Sequence, residues 1–298
     1  KGAWRINIIT ALPAFLDGGT FVDGDSQTRF GGDKNAQGPE IWLFGQNAPF
    51  ETPGLTIRSP YNKFTGLTIG AFPGYHFRII GANAHHNVIQ GCYLGLDPSG
   101  RFSYKIVKSE GIRLDQEAHH NVIGGPAAYE RNLISGMYGR AIYLDKSHYN
   151  IIQGNYIGVK KNGLDPAGNG WTNEWQAYPT EHRPDALEGV FITNSSRGNL
   201  IGGLLSGCGN VIAANLRAGL RLEATGSDSN RIIGNYIGVA ADGETAMANG
   251  EAGLWIANIS TGRGPAYNLI EGNVVSANFS SGIQMRWGSY HNTVRRNL

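Results

Sequence analysis

"GNYIGV" is written twice in this chain, at Gly154–Val159 and again at Gly234–Val239. Each copy lies inside a longer match, "YNIIQGNYIGV" from Tyr149 and "SNRIIGNYIGV" from Ser229, and "HNVIQGCYLGL" from His86 is a degraded third. Working outward, Asn-x-[Ile/Val] recurs at Asn87, Asn121, Asn150, Asn199, Asn230, Asn268 and Asn292. Glycine follows four residues later in all but the last, as Gly91, Gly125, Gly154, Gly203, Gly234 and Gly272. The intervals between the asparagines are 34, 29, 49, 31, 38 and 24 residues. A constant phrase with an elastic gap is how a solenoid reads when its coil is fixed and its loops vary.

A second phrase falls between the asparagines: "GIRL" at Gly111, "AIYL" at Ala141, "GVFI" at Gly189, "GLRL" at Gly219, "GLWI" at Gly253 and "GIQM" at Gly282. Its apolar–x–apolar alternation is that of a strand with one face buried. "NVIGG" is followed 11 residues on by "NLISG", and "NLIGG" by "NVIAA" at the same gap, which reads as a second coil type alternating with the first. Three insertions, roughly 96–110, 159–188 and 239–252, leave the coil at one corner. Stacked coils of this kind place equivalent residues in columns, with Ile, Leu and Val inward and the recurrent Asn at a turn. The fold class expected is therefore all-β: a right-handed parallel β-helix, its handedness following the general crossover preference. "RINIIT", "GTFVDGD", "EIWLFG" and "GLTIRSP" carry the pattern through the first 60 residues, with "NKFTGLTIG" at Asn62 an early version of the Asn phrase. No linker interrupts it, so 1–298 reads as one β-helix domain.

Composition narrows the function classes. Forty-four glycines, about twice ordinary usage, without a collagen period, mark many tight turns. A net charge of +2 with no basic run gives no nucleic-acid footprint, and no apolar stretch approaches the ~20 residues of a membrane span. Cys92 and Cys208, the only cysteines, have neither disulfide-framework nor metal-site spacing and read as small buried hydrophobes. The chain opens at Lys1, so it reads as a processed secreted form or a piece of a longer protein, its end coils free for end-to-end or flanking-domain contacts.

"ALPAFLDGGTFVDGDSQ", "GPEIWLFG", "GLTIRSPYNKFTGLTIGAF" and "HHNVIQGCYLGLDPSG" resemble the large bacterial secreted and cell-surface proteins built of right-handed parallel β-helix repeats. The resemblance covers nearly the whole chain. It implies an extracellular or surface setting and no single activity, because this solenoid hosts many.

The middle residue of each strand phrase points outward, which predicts a column of Arg113, Tyr143, Phe191, Arg221, Trp255 and Gln284, flanked by Asp115, Asp145, Thr193, Glu223, Ala257 and Arg286. Aromatic faces stack on pyranose rings while carboxylates and guanidinium groups bond hydroxyls, so a polysaccharide or surface glycan is the expected partner. The longest insertion adds Trp171, Trp175, Tyr178, His182, Arg183, Asp185 and Glu188, too aromatic for a disordered segment. If the chain is catalytic, Asp115 and Asp145 are the carboxylate pair and Arg113 their partner; the Asn-Thr-Asp, Gly-His-Gly and Arg-Ile-Lys strings of β-helical polygalacturonases are absent. A filament or tail-fibre unit is the remaining reading. No metal site is expected: the pairs His85–His86 and His119–His120, with His148, read as a plain external ladder. No cofactor motif is present either, and calcium stays open only through "DGDSQ" at Asp23, which lacks the full loop spacing.

Overall fold

The computed structural model describes residues 2–104, 106, 108–170, 187–258 and 262–298. Trp171, Trp175, Tyr178, His182, Arg183 and Asp185 lie outside the described residues. Short strands, mostly two to four residues long, pair in parallel into three sheets of nine, eight and nine strands. The chain visits them cyclically, one strand of each per turn. The first sheet runs from Trp4–Asn7 to Val274–Val275 and the third from Phe21–Asp23 to Thr293–Arg295. The second sheet contains Leu55–Ile57, Tyr75–Ile80, Glu110–Asp115, Ile142–Asp145, Val190–Thr193, Leu220–Glu223, Leu254–Ala257 and Ile283–Met285. The winding is right-handed. One seven-residue helix, Asp25–Gly31, buries none of its residues. No described helix is long and apolar enough to cross a membrane.

Alternation explains the core. Along the second sheet the inward residues stack in register as Ile112, Ile142, Val190, Leu220 and Leu254. Ile89, Ile123, Ile152, Ile201, Ile232 and Ile270 do the same on the third sheet. These side chains are fully buried or nearly so, and each contributes about 2 kcal/mol of hydrophobic stabilisation.

The recurrent asparagines stack as expected, and the column starts at Asn62, the early version of the phrase. Asn62, Asn87, Asn121, Asn150, Asn199, Asn230, Asn268 and Asn292 are joined Nδ2 to Oδ1 at 2.9–3.1 Å. Each Oδ1 also accepts the backbone N–H of the Asn one coil before it, as Asn150 does from Asn121 at 3.0 Å. A second hydrogen of the amide reaches a backbone carbonyl, as from Asn121 to Ala84 at 3.0 Å. From Asn121 to Asn268 the buried amide is thus satisfied at every rung, the condition under which burying it is not a penalty.

Two further columns were not read from the sequence. Asn132, Asn155, Asn210, Asn235, Asn273 and Asn297 form one between the third and first sheets. Asn169, Asn215, Asn249 and Asn278 form another between the first and second. The first of these corrects the expectation of two coil types. Asn132 and Asn155 occupy the same rung position, so the 11-residue gap is one coil with a longer corner. Glycine placement follows corner length. In short corners the left-handed residue is the fourth after the Asn (Gly154, φ 68°), in long corners the third (Gly124, φ 83°). Cys92 stands where later coils have Asn, its N–H donating to Asn132 Oδ1 at 2.9 Å. Burial pushes its thiol up to about 12, so it is inert as a nucleophile.

The three insertions do leave at one corner, between first-sheet and second-sheet strands. Each begins with the same small antiparallel bridge, Leu96 to Ser103, Val159 to Pro166 and Val239 to Ala246.

Candidate functional site

Strand register places the predicted outward residues in one column on the second sheet: Arg113 beside Tyr143, then Phe191, Arg221, Trp255 and Gln284. Arg78 extends it by one rung. Cations and rings interleave along the axis. The Arg113 guanidinium lies 5.3 Å from the Tyr75 ring centre and 4.7 Å from that of Tyr143. Tyr143 stacks on Phe191 at 5.3 Å, and Arg140 sits 4.6 and 4.4 Å from those two rings. Arg221 lies 5.4 Å from Phe191 and 4.4 Å from Trp255. Each such contact contributes about 1 kcal/mol when partly desolvated. The consequence is geometric: Tyr143 and Phe191 stack on each other and on guanidinium groups, so their faces are turned along the axis and away from a ligand lying across the sheet.

Carboxylates lock the same arginines from the side. Arg113 bridges Asp115 (2.7 Å) and Asp145 (2.9 Å), and its Nη1 donates to the Tyr75 hydroxyl at 2.6 Å. Arg78 reaches Asp115 at 3.2 Å. Asp145 also accepts from Tyr143 (3.3 Å) and Asn194 (2.9 Å). Fully buried Glu188 accepts from Arg140 at 3.0 Å and Arg221 at 3.1 Å, and Arg221 pairs with Glu223 as well. Arg78, Arg113, Arg140 and Arg221 thus stand against Asp115, Asp145, Glu188 and Glu223, leaving the network close to neutral. Burial, with Asp145 nearby, pushes the Tyr143 hydroxyl up to about 12, so it stays protonated and donates.

Beside this network a cleft of about 430 Å³ opens, lined by Tyr75, Arg78, Lys108, Glu110, Tyr138 and Gly139 among others. Its volume is within the usual range for small-molecule sites. Burial pushes the Glu110 carboxyl up to about 7, against the pull of Arg140 and Arg113 and with help from Glu188. Its Oε2 is buried and without a hydrogen-bond partner. A carboxyl poised near neutrality in a cleft has the acidity general acid–base chemistry uses.

The structure brings Arg113, Asp115 and Asp145 into direct contact and places Tyr143, Phe191, Arg221, Glu223 and Trp255 on the same face. Arg286 lies just past the last strand of that face, 5.9 Å from the exposed ring of Trp287, which meets Trp255 edge-on at 6.3 Å. Sequence reasoning missed Tyr75, Arg78, Glu110, Arg140 and Trp287. "YHFRII" aligns with the strand phrase once the glycine is not required of it, and Glu110 immediately precedes "GIRL".

One strand of each sheet per right-handed turn, with polar corner columns of Asn, defines the class: the chain is a right-handed parallel β-helix. It is similar to a periplasmic alginate epimerase, AlgG, in a mutant form (16% identity, TM-score 0.40, covering 86% of this chain and 51% of that one). It is also similar to the Dettilon tailspike protein (14%, 0.40, covering 79% and 44%) and to the A-module of the Azotobacter vinelandii mannuronan C-5 epimerase AlgE6 (11%, 0.35, covering 87% and 72%). The chain spans about half the length of the first two, at 51% and 44%. These likenesses concern the fold. No protein-family model and no curated protein matches the sequence.

Proposed function

We propose that this β-helix is an extracellular or surface-displayed scaffold that recognises a polysaccharide along the outward face of its second sheet. The observation that carries the reading is the continuous column from Arg78 to Gln284, whose cations, carboxylates and rings hold one another in place before any ligand arrives. Preorganisation of this kind lowers the ordering cost of binding. The near-balance of charge favours a hydroxyl-rich chain of low charge over a strongly acidic one. Because the inner rings lie against both another ring and guanidinium groups, and Trp255 against Arg221 and the edge of Trp287, sugar stacking falls first to the exposed Trp287 at the carboxy-terminal end, with Trp255 supporting it. The resemblance of the repeats to those of secreted proteins supports the location.

The test is a polysaccharide array with the wild-type chain, Trp255→Ala and Trp287→Ala. Retention of a defined glycan that weakens about tenfold in either variant, a hot-spot-sized effect, supports the reading; retention unchanged in both, or no glycan bound, ends it.

Glu110 favours a second reading, in which the cleft cleaves or eliminates the bound glycan with this carboxyl as acid–base group. Asp115 and Asp145, by contrast, are both held by Arg113. Assay of the retained glycans for reducing ends and unsaturated products, with Glu110→Gln as control, decides it: products that vanish in Glu110→Gln support catalysis, and no products from wild type excludes it for those glycans.

A further inference from the structure

Away from the second sheet, the corner before the first Asn column carries six imidazoles, and four of them, His85, His86, His119 and His120, stand as adjacent pairs on two successive coils. The residue preceding each column Asn is left-handed throughout: Tyr61, His86, His120, Tyr149, Gly198, Ser229, Tyr267 and His291 have φ between 51° and 65°. That conformation turns two successive side chains to one side of the corner. His85 Nδ1 therefore lies 2.8 Å from His86 Nδ1, and His119 Nδ1 lies 2.7 Å from His120 Nδ1. The pairs are stacked coil on coil, His85 on His119 at 4.9 Å and His86 on His120 at 5.2 Å between ring centres. Tyr61 covers His86 at 5.2 Å and Tyr149 covers His120 at 5.3 Å, so the four rings form a two-by-two block between tyrosine lids.

We propose that each histidine pair chelates one square-planar divalent d-block ion, copper(II) foremost, through its two Nδ1 atoms. Two nitrogens about 2.0 Å from a metal are about 2.8 Å apart when cis on a square plane and about 3.3 Å apart on a tetrahedron. The observed separations match the square plane. In the metal-free protein one ring of each pair carries its proton on Nδ1 and donates it to the other; when the ion binds, that ring loses the Nδ1 proton and takes one up on Nε2, so both imidazoles stay neutral and both Nδ1 lone pairs are free for the metal. Among the described residues no group of three or more ligands converges on a point, so solvent completes each coordination sphere. The coil repeat sets the distance between ions. Two sites one rung apart are separated by about 4.8 Å, close enough for strong magnetic coupling.

Copper(II) titration of the whole chain, read by metal analysis after gel filtration and by electron paramagnetic resonance, tests this. Wild type is expected to take two ions beyond any background and to show a half-field coupled signal. His120→Asn retains one ion without the half-field signal, and the double variant His86→Asn/His120→Asn falls to background. Asparagine accepts the left-handed conformation, so both variants keep the fold; unchanged thermal unfolding checks it. Uptake of a single ion by wild type, or uptake equal to that of the double variant, overturns the proposal.

Discussion

Two columns run the length of this molecule on the same register and are built on opposite principles. At the corner leading into the third sheet, every rung from Asn62 to Asn292 holds the same residue, nearly all of them sealed from water, each amide closing on the next. On the outward face of the second sheet the rungs read Arg, Arg, Tyr, Phe, Arg, Trp and Gln, and the contacts alternate between cation–π stacking and ion pairs. A buried column has one solution because each amide must meet its like, whereas an outward column is free to vary so long as neighbours complement each other. Stability is concentrated in the first, and the recognition proposed above belongs to the second.

The comparison breaks most sharply at Asn150. Asn150→Ala leaves one Nδ2 hydrogen and the backbone N–H of Asn121 without an acceptor and loses the donations to Ser147 and Asn199. A cost of about 3–5 kcal/mol is expected for buried groups left unpaired, read as a lower denaturation midpoint in guanidinium. A loss below 1 kcal/mol would mean that solvent enters the column.

Arg113→Ala removes two ion pairs and the bond to Tyr75, yet Asp115 keeps Arg78 and Asp145 keeps Asn194. Partial exposure and these remaining partners reduce the expected destabilisation to about 2 kcal/mol, with glycan retention falling further than stability does.

Glu110 sharpens the contrast through pH. Its folded acidity is shifted up to about 7 from the ordinary 4.5, so the folded state holds the proton more tightly than the unfolded one. Stability from this group is present below about pH 4.5, declines as pH rises through 7, and is absent above. Glu110→Gln removes the partly buried charge and is expected to stabilise the protein by about 2 kcal/mol at pH 8, and by little at pH 4.5. Thermal unfolding at the two pH values measures it; equal effects at both would refute the burial account.

The smallest change is constructive. Cys92 sits one rung below Asn132 with its N–H already donating to that Oδ1. Cys92→Asn extends the column, with an expected gain of about 1 kcal/mol by the same denaturation measurement. A loss instead would show that the rung has no room for the larger amide.

Much of this was legible in the sequence because a coil must repeat its cross-section. The "Asn-x-Ile" spacing located the first Asn column, and aligning "GIRL", "AIYL", "GVFI" and "GLRL" located which side chains share the outward face. Tyr75 and Arg78 escaped because "YHFRII" opens on no glycine. The second column escaped because Asn132 and Asn155 sit at different distances, 11 and 5 residues, from the preceding column Asn. Glu110 escaped because its raised acidity depends on burial within the fold and on charges such as Arg140 and Glu188 that later coils bring beside it.

The amino-acid order alone determined that the chain winds as a stacked helix of strands, which residues face inward, and where its insertions leave. Only the tertiary structure decided which neighbours meet. Bonded rungs of the Asn columns lie 23 to 55 residues apart, strands and variable loops together, so the covered faces of Tyr143 and Phe191, the raised acidity of Glu110 and the stacking of one histidine pair on the next arise from packing between coils and from the water it excludes.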